Sequence, residues 1–170
     1  PNIAAPPDLA VVEFRTVAAE ASRRLAAAID RGDWDEFERL AAAPDASVES
    51  RRKLVGFERG DFSLSEVMRH TRLDLETGVM QVTHDVIAVR GEHLALARVR
   101  VGTVDTTPGA PQDDVLQVYG VDEEGRVTLQ VWFDLEDMDA AVAELDAQYV
   151  RLAGHLPLPP RMENVAGQAS

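Results

Sequence analysis

At Val79 the hydrophobic period of the sequence changes from mostly helical spacing to strand alternation, which continues to about Asp134. Apolar residues first recur every three or four positions, which is typical of helices with one buried face. After Val79 they alternate with polar residues in runs separated by turn residues, as in antiparallel strands. Helices grouped before strands favour an α+β fold over a doubly wound parallel sheet. We therefore expect a curved antiparallel sheet covered on one face by the early helices, with one more helix at the C-terminus.

Three helices are expected in the first part of the chain. The first ends near Asp30, where Arg31-Gly32 breaks the pattern. Asp33 with Glu36, and Ser63 with Glu66, have the spacing of capping boxes, in which each partner's side chain binds the other's backbone N–H. These pairs predict the starts of the second and third helices. Their expected buried residues share helical spacing and include Phe14, Ala18, Ala21, Leu25, Trp34, Phe37, Leu40, Leu64, Val67 and Met68.

The strands are predicted from alternation and from the turns between them. We expect a short strand at 46–52, a hairpin of 79–90 with 93–103, a second hairpin of 115–121 with 127–134, and then a helix that starts at 136–139. Gly91-Glu92 has the pattern of a two-residue turn, and Gly125 that of a turn closed by a glycine bulge. The last helix should bury a face made of Met138, Val142, Leu145, Tyr149 and Leu152.

The two predicted turns fix which side chains share a face, because side chains alternate along a strand. Pairing Arg90 with His93 places His84 among apolar residues on the face toward the helices. Pairing Val121 with Val127 places Tyr119 and Gln117 on the face of the sheet toward the helices, together with Leu129, Val131 and Phe133. The outer face then carries an apolar set suited to a homodimer contact: Leu116, Val118 and Trp132.

The charge balance limits the function classes. Seventeen Lys and Arg against thirty Asp and Glu give a net charge of −13, which disfavours nucleic acids and anionic membranes as partners. The chain has no cysteine, no apolar run of membrane-spanning length and no signal-peptide pattern, so we expect a cytoplasmic protein without disulfides. The four histidines lack metal-ligand spacing, so neither a metal nor a cofactor is expected.

Several short segments, in order, resemble SnoaL-like domains of the nuclear-transport-factor-two-like superfamily. They are 28–35 with its Asp-Trp-Asp, 44–52 with Pro-Asp and Arg-Arg, 122–127, and 133–137. The segment 140–149 is similar to a terminal helix of domains attached to actinobacterial multidomain regulators. The resemblance spans about residues 10–153 and implies a cone-shaped (cystatin-like) roll around a pocket. This fold hosts both enzymes and binding proteins.

The polar residues inside the cone are then the candidates for a ligand site. We expect the pocket to be lined by His84, Tyr119, Gln117, Phe133, Val131, Arg52 and Trp34. Tyrosine can donate a hydrogen bond to an oxyanion, and histidine can move a proton near neutral pH. Because no carboxylate can be placed beside them by parity, we expect a sensor or accessory domain of a bacterial regulatory protein, which binds an apolar small molecule or dimerises, rather than an enzyme.

An enzyme of the same fold is the alternative. Members of this superfamily include cofactor-free isomerases, polyketide cyclases and epoxide hydrolases, and the resemblance implies that an epoxide hydrolase would use an Asp-Arg-Asp set around a water. In this sequence Glu49, Arg52 and Asp134 match such a set only loosely.

The ends of the sequence are rich in proline and lack periodicity. We expect residues 1–8 to be a linker or a boundary, 9–154 to be the domain, and 155–170 to be a tail or linker.

Overall fold

The computed structural model describes residues 13–104, 107–110 and 112–154. The predicted end segments 1–8 and 155–170 lie outside these residues. Within them the order of elements is α1 (Val17–Arg31), α2 (Trp34–Ala41), β1 (Ser47–Ser50), α3 (Leu64–Glu76), β2 (Gln81–Arg90), β3 (Leu94–Gly102), β4 (Gln112–Val121), β5 (Val127–Asp134), a single 3-10 turn (Leu135–Asp137) and α4 (Met138–Gly154). None of the helices in these ranges combines the length and apolar character that crossing a membrane requires.

The helix ends follow the capping signals with one exception. Gly32 ends α1 at a φ of 68°, a left-handed conformation that favours glycine. The Asp33 carboxylate accepts from Glu36 N at 3.2 Å, and the Ser63 hydroxyl accepts from Glu66 N at 3.1 Å. The reciprocal bond, from the N-cap N–H to the glutamate carboxylate, is absent from the described contacts of both boxes, and the Glu36 carboxylate binds Arg39 instead.

The five strands form one mixed sheet in the order β1-β5-β4-β3-β2. The antiparallel meander of β2 to β5 confirms the predicted order of strands. The short strand β1 adds a parallel edge, since it pairs with β5 in the same direction. The fold is therefore α+β, with a curved open sheet that has α1, α2 and α3 on one face and α4 on the other.

The turn predicted between β2 and β3 is wrong by one residue, but the predicted faces of β2 are right up to a bulge after Val86. Arg90 pairs with Leu94 rather than His93, so the loop has three residues. A bulge between Val86 and Ala88 removes the offset, and Val86 pairs with Ala97 as predicted. Because only the segment between bulge and turn changes face, Ala88 packs on the side of α4 and not toward the other helices.

The pairing predicted between β4 and β5 holds only at the turn. Val121 pairs with Val127, but a register shift next to Gly120 makes Tyr119 pair with Gln130 instead of Leu129. Every later side chain of β5 therefore faces the opposite way from the prediction. The face toward α1 to α3 carries Gln130 and Trp132, and the face under α4 carries Leu129, Val131 and Phe133.

The outer face of the sheet packs against α4 and forms a second hydrophobic core with it. Leu116 and Val118 are fully buried there against Ala141 and Leu145. The surface predicted for a homodimer, Leu116, Val118 and Trp132, is thus wrong: two of its residues are covered within the chain, and Trp132 lies on the other face. The predicted face of α4 is also displaced. Met138, Tyr149 and Leu152 are exposed, and Glu144 and Gln148 are buried instead.

Candidate ligand-binding site

A cavity of about 300 Å³ lies between the inner face of the sheet and the helices α1, α2 and α3. This volume is at the lower end of the range for sites that hold drug-sized ligands. Its walls are mostly aliphatic or sulfur-containing side chains, including Leu25, Ile29, Met68, Leu75, Met80, Val82, Val99, Val101, Val115 and Val127.

Small residues on the central strand leave the space for this cavity. Ala95 and Ala97 of β3 face the helices and are completely buried. Across the sheet, Ala95 is paired with Tyr119 and Ala97 with Gln117. Because an alanine does not rise above its own strand, side chains of β2 and β4 can reach toward each other over β3.

Ser22, His84 and Gln117 form a chain of polar groups in the cavity wall. Ser22 Oγ lies 2.6 Å from His84 Nδ1, and His84 Nε2 lies 3.2 Å from Gln117 Oε1. Burial lowers the pKa of His84 below its ordinary value of 6.5, and the hydrogen bond with Gln117 only partly opposes this effect. The imidazole is therefore neutral at pH 7, with one donor and one acceptor nitrogen.

The Gln117 amide is a polar group of the wall that is left open to a ligand. Its oxygen faces His84, and no acceptor among the described residues bonds its nitrogen. Since Gln117 lines the cavity, its two N–H groups are available to a bound molecule.

The Tyr119 hydroxyl is committed to the backbone. It donates to the Ala18 carbonyl at 2.7 Å, and the ring packs edge-on against His84 with centroids 5.3 Å apart. Burial raises the pKa of Tyr119 well above its usual value, so the phenol stays protonated.

The charged groups of the site lie together around Arg52, at one end of the cavity. Arg52 donates to both carboxylate oxygens of Asp113 at 2.9 Å, and its Nε donates to Asp134 at 3.2 Å. Asp134 also accepts from the backbone of Lys53, and this bond, with the help of Arg52, lowers the pKa of Asp134. We call Asp113, Arg52 and Asp134 the Arg52 clamp.

Four of the seven predicted site residues line this cavity: His84, Tyr119, Gln117 and Arg52. Val131 and Phe133 do not, because the register shift near Gly120 turns them toward α4. Trp34 is not part of the lining and packs edge-on against Phe37 in the small core between the helices.

The lining residues that the sequence analysis did not assign to the site include Ser22, Asp113 and Trp132. Ser22 carries a usable signal, since it lies four residues after Ala18 and belongs on the same helical face. Placing Trp132 in the cavity requires knowledge of the bulge in β5, and Asp113 lies before residue 115, where β4 was predicted to start.

Comparison with solved structures shows the fold. A computationally designed 17-OHP binder matches with a TM-score of 0.53 and 16% identity, over 74% of this chain and 95% of the other. A Mycobacterium tuberculosis protein in complex with estradiol-17β-hemisuccinate matches with a TM-score of 0.53 and 16% identity, over 72% and 97%. A Δ5-3-ketosteroid isomerase from Mycobacterium sp. matches with a TM-score of 0.52 and 17% identity, over 72% and 96%.

These likenesses confirm the expected architecture, a cone-shaped roll in which helices cover a curved sheet. No protein-family model matches the chain, and no curated protein does so either.

Proposed function

We propose that this domain binds an apolar small molecule with a single polar group directed at Gln117. The observation that carries the proposal is the open amide nitrogen of Gln117 in a mostly apolar wall. A ligand that displaces water from the cavity leaves this amide unpaired unless it supplies an acceptor, so a ligand with an acceptor gains affinity at this one position. The aliphatic walls supply the rest by the hydrophobic effect.

The neutral polar groups favour binding over catalysis. The only carboxylate among the described lining residues belongs to Asp113, and both of its oxygens bind Arg52. General-base chemistry on a carbonyl compound needs a free base near the reacting carbon. Tyr119 is likewise engaged, because its proton is directed at the Ala18 carbonyl.

Two structures of the same fold support the size and polarity of the proposed ligand. One is named as a 17-OHP binder and the other was solved with an estradiol hemisuccinate. From these two ligands we infer that the present cavity binds a molecule of fused or large aliphatic rings with a carbonyl or hydroxyl group.

The wider setting in this proposal comes from the resemblance described above. The similarity of segment 140–149 to domains of bacterial multidomain regulators supports a cytoplasmic sensor or accessory role. A homodimer remains part of the proposal. Since Leu116 and Val118 are covered by α4, its contact would use a surface other than the one expected from the sequence.

A second candidate function is epoxide hydrolysis, which the Arg52 clamp favours. Two aspartates joined through one arginine are the set implied by the resemblance, here with Asp113 in place of Glu49. Diol formation from cyclohexene oxide, lost in Asp113→Asn and kept in Asp137→Asn, would support this candidate. The absence of diol at high protein concentration would reject it.

Trp132 provides a direct test of the binding proposal, because this ring lines the cavity and Trp34 does not. Progesterone is added while tryptophan emission is followed. We expect a saturable change in the unmodified protein and in Trp34→Phe, but not in Trp132→Phe. Gln117→Leu should weaken binding by about fivefold or more, the worth of one hydrogen bond. An emission change that is kept in Trp132→Phe and lost in Trp34→Phe would reject the proposal. The absence of a saturable change with any ring compound would also reject it.

A further inference from the structure

We infer that the polar chain Gln117–His84–Ser22 can reverse the direction of its hydrogen bonds, so that the cavity accepts a cyclic ketone and the corresponding alcohol with similar affinity. This inference rests on the proposed function and specifies the ligand class of the same site. It follows from two observations, the neutrality of every group in the chain and the contacts at its far end.

In the first direction the chain runs toward the ligand as a series of donors. The Ser22 hydroxyl donates to His84 Nδ1, and His84 Nε2–H donates to Gln117 Oε1. The amide nitrogen of Gln117 then offers its N–H groups to the cavity. This arrangement binds a ligand carbonyl, which is an acceptor only.

In the second direction each donor becomes an acceptor. The Gln117 amide turns by half a rotation and donates to His84 Nε2, so that its oxygen faces the cavity. The imidazole carries its proton on Nδ1 and donates to Ser22 Oγ across the same 2.6 Å. This arrangement binds a ligand hydroxyl, which donates its proton to the Gln117 oxygen.

The second direction requires an acceptor for the displaced Ser22 proton, and the structure supplies one. The Tyr119 hydroxyl can serve as this acceptor, because an interaction with Ser22 partly opposes the rise that burial causes in the pKa of Tyr119. Tyr119 keeps its own bond to the Ala18 carbonyl in both directions, so its oxygen lone pairs remain free to accept. Every group of the chain is thus satisfied either way.

Neither direction involves a charged group. A carboxylate in the place of Gln117 would accept only and fix the chain in one direction, whereas an amide has a donor and an acceptor of the same size. Among the described residues, no other side chain bonds the two ring nitrogens of His84. The two arrangements are therefore close in energy, and the ligand selects between them.

Cyclododecanone and cyclododecanol are a suitable probe pair, since they share one large aliphatic ring and differ only in the polar group. Each is used to displace progesterone, with Trp132 emission as the signal. We expect dissociation constants within about threefold of each other, and both weaker by about fivefold or more in Gln117→Leu. A preference of tenfold or more for either compound would overturn the inference.

Ser22→Ala tests the far end of the chain. It leaves His84 Nδ1 without a partner, and an unpaired buried N–H costs more than an unpaired acceptor nitrogen. The variant should therefore keep its affinity for the ketone and bind the alcohol about five- to tenfold more weakly. Ser22→Thr, which retains the hydroxyl, should restore the affinity for the alcohol. Ser65→Ala, on the exposed side of α3, should change neither the affinity for the ketone nor that for the alcohol. Equal losses for both compounds in Ser22→Ala would reject the role of Ser22.

The position of the His84 proton gives a direct readout that a purely structural role would not move. In ¹⁵N-labelled protein, long-range proton–nitrogen correlations should show the Nε2–H tautomer with cyclododecanone and the Nδ1–H tautomer with cyclododecanol. The same tautomer in both complexes would overturn the inference. If progesterone binds and neither ring compound does, the ligand class is wrong while the binding function stands. If no compound binds, the proposed function itself fails.

Discussion

Tyr119 and Ala18 join the sheet to the first helix through a single hydrogen bond of 2.7 Å from the phenol to the backbone carbonyl. The two residues are 101 positions apart in the chain, and both are buried. This bond ties the C-terminal part of β4 to the first turn of α1, at the edge of the cavity. It fastens α1, on the helix side of the cavity, to β4, on the sheet side.

Tyr119→Phe should therefore destabilise the fold without emptying any space. The variant leaves the Ala18 carbonyl without this partner, and we expect a loss of about 1 kcal/mol in the free energy of unfolding, measured by urea denaturation. Tyr149→Phe is the matched control, since Tyr149 is 43% exposed on α4 and should cost nothing measurable. Equal stability of both variants would show that the bond is not formed in solution.

Acid should destabilise the protein through His84 before the carboxylates titrate. The unfolded chain takes up a proton at this residue near pH 6.5, whereas the folded chain, with its lowered pKa, does so only at lower pH. Between these values the unfolded state binds more protons, so the free energy of unfolding falls as the pH is lowered, by at most about 1.4 kcal/mol per pH unit.

Urea unfolding at several pH values from 7.5 down to 5.5 (roughly the range of histidine titration) measures this slope. His84→Gln should flatten it, and His70→Asn, on the exposed side of α3, should leave it unchanged. A slope that persists in His84→Gln would assign the effect to another group.

Ala97→Val should close the cavity while leaving the sheet intact. Valine is well suited to a strand, but its two additional methyl groups lie where His84 and Gln117 meet over β3. We expect at least a tenfold loss of ligand affinity (about 1.4 kcal/mol) with an unchanged circular dichroism spectrum. Ala88→Val, on the face under α4, should retain binding. Full affinity in Ala97→Val would mean that the ligand binds elsewhere.

The Arg52 clamp should depend more on Asp134 than on Asp113. Half of the Asp113 side chain is exposed, whereas Asp134 is 17% exposed and also caps the backbone N–H of Lys53. Asp134→Asn should lower the urea midpoint clearly, and Asp113→Asn only slightly. Because the pKa of Asp134 is lowered, its contribution is present above the ordinary aspartate pKa and is lost as the pH falls through the folded value. The reverse order of the two variants would contradict this assignment.

The helix starts and the order of strands could be predicted because they depend on local signals. Ser63 and Asp33 cap their helices at the expected positions, and the meander follows from alternation and turn residues. His84 was placed correctly even though the turn before His93 was wrong, since a bulge of one residue compensates for a loop of one extra residue.

The faces of β5 could not be predicted, because the register shift near Gly120 depends on packing from outside the hairpin. A Cβ at Gly120 would lie 3.2 Å from the side chains of Leu94 and Leu129, so a larger residue would require these side chains to shift. This crowding involves three strands at once and leaves no trace in the alternation of β5. The same limit explains why Val131 and Phe133 were assigned to the cavity and Trp132 to the surface.

The Arg52 clamp joins the end of β1 to the beginning of β4 and the end of β5 at one edge of the cavity. An uncharged ligand gains nothing from these ions once it is bound, but an entry route along this edge would have to part them. Salt weakens ion pairs of this exposure. Ionic strength would then govern how fast such a ligand arrives and leaves, although it would hardly alter how tightly the ligand is held.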